Sequence, residues 1–262
     1  MIKSKKEILE GFDALNETRF CVAVASYSGN TGKSIVSNYL LRLHMDLQSH
    51  YVINNMGFYN KTYSDEIVMS GESFDEVLKS LSNLDSAIIN IAAHNTDCVM
   101  NIMQRNSGSH KVFDYFLVPV IKGRKELEDS LNTIKALLRI GVLPGSIKII
   151  FNNNKYLEVI DEEFGYLLSH LDELKIPYNI NASIEHNPLY SMLSELDISL
   201  LDLLSISIDE KKNRQEYLRI KKRTEEESEE LKTLINLITA WRYAQSAIQN
   251  LNNVYRLLFV KL

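Results

Sequence analysis

Cysteine is nearly missing from this 262-residue chain: Cys21 and Cys98 stand alone, with no C-x-x-C spacing. That excludes a disulfide framework and a thiolate metal cluster, and fits reduced, buried thiols in a cytosolic compartment. Six histidines are present, but none has the H-x-x-x-H spacing of a metal site. No apolar run is long enough to cross a bilayer. Met1-Ile2-Lys3-Ser4-Lys5-Lys6 is basic, yet Glu7, Glu10, Asp13 and Glu17 follow where a signal peptide needs an apolar stretch. A cytoplasmic protein is expected. Charge of one sign is not in large surplus either. Lys plus Arg number 29 against 34 Asp plus Glu, a net charge of -5. Coating DNA by bulk charge is thereby excluded. Repeats and Pro/Gly/Ser-rich linkers are also lacking. Apolar residues are plentiful at 45%, enough for the core of an α/β domain with appended helices.

Strand-like and helix-like runs alternate through the first two thirds. Phe20 to Ser26 is a short continuous apolar run, the mark of a strand buried on both faces. A helix is predicted from Ser34 to Leu47, a short strand over Tyr51 to Ile53, and a helix over Phe74 to Leu81. Apolar strands are predicted over Ser86 to Ala92, Tyr115 to Val120 and Ile147 to Phe151. Lys125 to Ile140 has helical periodicity at Leu127, Leu131, Ile134 and Leu138, closed by Gly141 and Pro144-Gly145. Leu157 to Leu171 reads as a further helix. The alternation predicts an α/β fold, with a mostly parallel sheet and helices on both faces. Three regions are expected: an N-terminal extension (1–19), a nucleotide-binding domain (20–205) and a C-terminal helical extension (206–262). Asp209 to Glu230 reads as one solvated, charged helix. Leu231 to Leu262 reads as one long amphipathic helix, or two with a break near Asn250 to Asn253.

Between the first strand and the first helix lies Ser28-Gly29-Asn30-Thr31-Gly32-Lys33-Ser34. A glycine loop there turns backbone N–H groups toward a phosphate, and the helix start adds partial positive charge. Lys33 is placed to bridge the β- and γ-phosphates, and Ser34 to offer a hydroxyl to Mg²⁺. Ile35 continues the helix. The pattern G-x-x-x-x-G-K-S would need glycine at position 27, which is Tyr27. The short loop is therefore a deviant Walker A form, in which Gly29 is expected to make the turn. ATP with Mg²⁺ is the expected ligand.

This loop is similar to the form found in ParA/MinD ATPases. Within them it resembles the StbB/TraL branch of plasmid-stability and conjugal-transfer proteins, with S-G-N-x-G-K-[ST]. Ile89-Asn90-Ile91-Ala92-Ala93-His94-Asn95 resembles that branch's V-D-V-G-A-S-N. Phe113-Asp114 through Pro119-Val120 resembles its F-D-x-x-x-x-P-V, and Ile149-Ile150-Phe151-Asn152 its V-V-F-N. The resemblance covers about residues 20 to 200. It implies an ATP-dependent switch that forms a homodimer and works with a DNA-binding partner protein, without sequence-specific DNA binding of its own. It also implies that Asn152 contacts the adenine. Read from the sequence alone, Asn152-Asn153-Asn154 is equally a natural turn. Asn187-Pro188 is a weaker candidate for the base.

The departures from the family are chemical. Asn90 stands where the family carries the aspartate that orders Mg²⁺ through water, so it keeps a hydrogen-bonding role and loses the charge. Two aspartates expected after the second strand are replaced by Asn54-Asn55, and the signature lysine by Ser28. Binding survives such losses, because backbone amides and Lys33 hold the phosphates. Hydrolysis is expected to be weak or absent. Asp65 and Glu66, read as loop residues after the second strand, are the candidates for a general base. A catalytically degenerate scaffold is the second reading, and a small-molecule kinase or ligase a third that Asn90 disfavours. Lys232, Arg242, Arg256 and Lys261 on the last helix would suit a membrane surface, but the apolar stripe suits packing or dimer formation better. The cations from Lys211 to Arg223 are interleaved with carboxylates and read as a solvated face.

Overall fold

The computed structural model describes residues 19–55, 61, 63–153, 160–220 and 222–260. Seven strands form one sheet in the order β3-β2-β4-β1-β5-β6-β7, and every neighbouring pair is parallel. They are β1 (Cys21–Val24), β2 (Ser49–Ile53), β3 (Glu66–Met69), β4 (Ala87–Ile91), β5 (Tyr115–Val120), β6 (Ile147–Asn153) and β7 (Ser183–Glu185). The expected α/β fold with a parallel sheet is present, and β1 lies at its centre. Two strands go beyond the sequence reading. β7 forms one edge. β3 forms the other, and it contains Glu66, which is therefore a strand residue and not a loop acid.

Side-chain alternation divides the sheet into two buried faces. Ala23, Ile89, Phe116 and Ile149 point to one face. There they join Phe74, Val77 and Leu81 of α2 (Phe74–Leu81), and Val99 and Met103 of α3 (Thr96–Arg105). Leu127, Leu131 and Ile134 of α4 (Arg124–Arg139), with Phe164, Leu167 and Leu171 of α5 (Ile160–Glu173), complete that layer. The helix after β1, here α1, is built of Lys33–Ile35, a π-helical stretch Val36–Leu41 and Arg42–His44. All six residues of the π stretch are buried. The helix stops at His44, before the expected Leu47, because Met45 turns extended at φ -95°, ψ 140°.

The residues Asn187–Asn250 form a second compact unit. It holds α6 (Leu189–Glu195), α7 (Leu200–Ser205), α8 (Ile208–Ile220) and most of α9 (Glu225–Phe259). The single helix expected over Asp209 to Glu230 is two. Thr224 starts a new one: its hydroxyl accepts from the Glu227 N–H at 3.2 Å, while the Glu227 carboxylate accepts from the Thr224 N–H at 3.1 Å. This reciprocal pair is a capping box. Arg214 of α8 meets Glu230 of α9 through two 2.8 Å hydrogen bonds.

The break expected near Asn250 to Asn253 does not occur, since α9 runs unbroken to Phe259. Its residues from Leu251 onward belong with the sheet unit. Leu251, Val254 and Tyr255 are fully buried. Phe259 packs on Phe20 and Tyr115, with ring centroids 4.8 and 5.2 Å apart. Among the described residues no helix is long and apolar enough to cross a membrane.

Candidate functional site

The loop Ser26–Gly32 leaves the end of the central strand β1 and runs into α1. Two of its residues take left-handed backbone, Asn30 at φ 52° and Gly32 at φ 88°. Asparagine tolerates this region better than other residues with a Cβ, and glycine enters it without penalty. This corrects the expectation that Gly29 makes the turn. Gly29 lies outside the positive-φ region, and a Cβ there would meet nothing within 4 Å. Gly32 is constrained twice, by its φ and by Asn152, whose Nδ2 would sit 2.0 Å from a Cβ at position 32.

The loop's amides from Gly29 onward lack partners within the described chain. Among the described residues, no protein acceptor takes the backbone N–H groups of Gly29 to Ile35. The first helical bond runs from Val36 N–H to the Gly32 carbonyl, at 3.0 Å. Unpaired donors at the start of a helix make a site for an anion, favoured further by the helix dipole. Lys33 lies in the same loop and is nearly buried. Its Nζ donates to the Ser28 carbonyl at 2.7 Å and more weakly to the Ser26 carbonyl at 3.5 Å. Burial pushes its ammonium down to about 8. The lysine thus lacks a counter-anion, and a phosphate would supply one.

Hydrogen bonds brace this loop from three directions. Thr133 of α4 accepts from the Tyr27 N–H at 3.1 Å. Thr96, at the start of α3, donates to the Ser26 carbonyl at 3.2 Å. Burial, and after it the nearby Asp97 carboxylate, hold the Tyr27 phenol above its usual pKa. Asn152, at the end of β6, donates to the Thr31 carbonyl at 3.1 Å. The sequence reading missed Thr96, Asp97 and Thr133. Each is brought to the loop by tertiary packing, and none carries a local signal.

Of the predicted phosphate residues, Ser28 and Thr31 are buried, Gly29 and Asn30 exposed, Ser34 exposed at the helix start, and Ile35 half-buried. The Thr31 hydroxyl is buried with no hydrogen-bond partner. Asn90 pairs in register with Val24, the last residue of β1, and with Val52. It is 4% exposed, and β4 touches the loop helix α1. Ser34 and Asn90 therefore offer one hydroxyl and one amide where a magnesium ion would be sought. No group of three His, Cys, Asp or Glu suited to a metal occurs among the described residues. Such a set is not required when nucleotide phosphates supply most of the oxygens.

Two candidates are removed from the site. Asp65 is bound by Arg42 through 2.6 and 2.5 Å contacts. Glu66 is the buried first residue of edge strand β3, 3.9 Å from His50 Nδ1. In a parallel sheet that is the end opposite the phosphate loop, so neither acid serves as a general base there. Asn187, the weaker candidate for the base, is occupied within the second unit. Its Nδ2 donates to Ser246 Oγ at 3.1 Å, and its Oδ1 accepts from the Leu189 N–H at 2.9 Å.

No family model and no curated protein matches the chain. Solved structures similar to it include apo McdA of Cyanothece, at 16% identity over 70% of this chain and 92% of that one, TM-score 0.47. A McdA variant of Cyanothece in complex with ATP shares 16% identity over 80% of this chain and all of that one, TM-score 0.45. The septum site-determining protein MinD of Pyrococcus horikoshii, complexed with Mg-ADP, shares 15% over 84% and 94%, TM-score 0.45.

Proposed function

We propose that this chain binds ATP with Mg²⁺ on the loop Ser28–Ile35 and acts as a nucleotide-dependent switch with weak or absent hydrolysis. The observation that carries the reading is the run of unpaired amides from Gly29 to Ile35, which includes Lys33, a cation with only carbonyl partners. Phosphate oxygens satisfy both at once. Ser34 would hold the metal directly and Asn90 through water. Bound Mg²⁺ would neutralise phosphate charge. No carboxylate stands at Asn90, so charge stabilisation during hydrolysis is poor.

The switch works by differential affinity: ATP stabilises whichever conformation or dimer closes on it. By the resemblance of its motifs to the StbB/TraL branch, the chain works in plasmid stability or conjugative transfer. It does so in the cytoplasm, as a homodimer with a DNA-binding partner protein. Residues 20–205 would form the nucleotide-binding body and 206–262 the helical extension. A catalytically inert interaction scaffold is the second reading, favoured by Asn90. Paired measurements of ATP affinity and ATP turnover separate the two. Tight binding with slow turnover that a partner accelerates supports the switch, and binding that no partner converts to turnover supports the scaffold. Absence of binding overturns both.

A further inference from the structure

The geometry points to Asn152 as a positioning residue that sets the phosphate loop, instead of a reader of the base. The inference rests on the phosphate-loop reading above. Asn152 is 5% exposed and sits near the end of β6, two strands away from β1. Its side-chain amide nevertheless reaches the loop and donates to the Thr31 carbonyl at 3.1 Å.

The consequence follows from the planarity of the peptide unit. In a trans peptide the carbonyl and the following N–H point in opposite directions. Holding the Thr31 carbonyl toward Asn152 turns the Gly32 N–H the other way, among the loop's unpaired amides. Without the clamp, a peptide next to glycine flips readily, because glycine accepts both signs of φ. The flipped form would present a carbonyl oxygen to an anionic ligand. The second observation is steric. A Cβ at Gly32 would lie 2.0 Å from Asn152 Nδ2 and 3.1 Å from its Cγ. Glycine at 32 and asparagine at 152 are therefore complementary in shape as well as bonded. Both contacts are to the backbone of the phosphate cradle, so the effect of Asn152 should be blind to the base.

The test titrates inorganic tripolyphosphate, ATP and GTP against the wild type and Asn152→Ala, with circular dichroism to check folding. Asn152→Ser is the second variant should alanine fail to fold. The clamp predicts that all three ligands weaken by a similar factor, about tenfold, and that the ATP-to-GTP preference is unchanged. If tripolyphosphate affinity is unchanged while ATP alone weakens, Asn152 reads the base and the clamp is wrong. If none of the three changes, the clamp is also wrong. A wild type that binds neither tripolyphosphate nor ATP sinks the phosphate-loop reading itself. A double-mutant comparison supplies a readout that mere stability would not move. Gly32→Ala should weaken tripolyphosphate binding by more than Asn152→Ala does, through its left-handed φ and the contact together, and adding Asn152→Ala should recover the part due to the contact. Simple addition of the two losses would overturn the proposed complementarity.

Discussion

His44 and Asn252, separated by 208 residues, share a 2.8 Å hydrogen bond between His44 Nε2 and Asn252 Oδ1 inside the protein. The His44 ring also stacks on Tyr255 at 4.3 Å with a 10° tilt, and its Nδ1 lies 2.7 Å from the Leu40 carbonyl. The end of the phosphate-loop helix is thus tied to the last turns of α9.

Cutting the chain before Leu251 should therefore damage the sheet unit itself. Leu251, Val254 and Tyr255 are each fully buried, and removing such side chains costs about 1.5–3 kcal/mol apiece. Asn252→Ala alone leaves a buried histidine nitrogen short of its partner, at about 1–3 kcal/mol. Urea unfolding of the point variant and light scattering of the truncated chain measure these effects. A truncated chain as soluble and as stable as the full one would contradict the packing.

Lys33→Ala should lower ATP affinity by at least about tenfold while the chain stays folded, because a charge-assisted contact is worth about 1.5–3 kcal/mol. Nucleotide titration with a circular-dichroism control decides this, and unchanged affinity in a folded variant rules out the phosphate loop.

The same lysine gives binding a pH dependence. Burial holds its ammonium down to about 8, against 10.5 in a solvated lysine. Above pH 8 the free protein loses that proton, and an anion must restore it. ATP affinity should fall as pH rises past 8, with a proton taken up on binding. Without ligand the sign is reversed: the unfolded chain holds the proton up to 10.5, so stability rises between pH 8 and 10.5. Calorimetry at pH 8.5 in buffers of different ionisation enthalpy reads the uptake directly.

His50 predicts acid sensitivity. Desolvation, and after it the Arg42 guanidinium, push its imidazole down from 6.5 to about 3. The folded state requires the neutral ring. Its contribution is complete above pH 6.5 and is lost progressively as pH falls toward 3. At pH 5 the loss is about 2 kcal/mol. Asp65, held below its usual range by Arg42, acts only in a lower window, under 3.8. Thermal melts between pH 7 and 5 should show His50→Gln losing less stability than the wild type, and parallel losses would contradict this.

Asn90→Asp should raise ATP turnover, by at least about tenfold or ~1.4 kcal/mol of barrier, because it returns a charge to the metal's surroundings. If the wild type already hydrolyses ATP briskly, the weak-hydrolysis reading is wrong.

The loop, its strand and its helix were legible in the sequence because the signal is local. Phe20 to Ser26, two glycines and Lys33-Ser34 lie within fifteen consecutive residues. β3 was not legible, because Glu66 heads it, and a buried carboxylate at a strand start looks like a loop acid. Asn152 was marked, but its partner Thr31 is 121 residues away, and no sequence period encodes that pairing. The restart of the helix at Thr224 is legible, since Thr224-Glu225-Glu226-Glu227 is a capping-box sequence. Asn252 misled in the other direction. An asparagine that suggested a break is instead turned inward on His44.

The packing of Phe259 on Phe20 and Tyr115 has a consequence for synthesis. The ribosome delivers Phe20 and Tyr115 well before the Phe259 ring that covers them. At about 5–20 residues per second, Phe20 and Tyr115 wait on the order of ten seconds or longer for that cover. During that interval the nascent sheet exposes aromatic surface that chaperones bind, so the yield of native protein should depend on translation speed and chaperone supply.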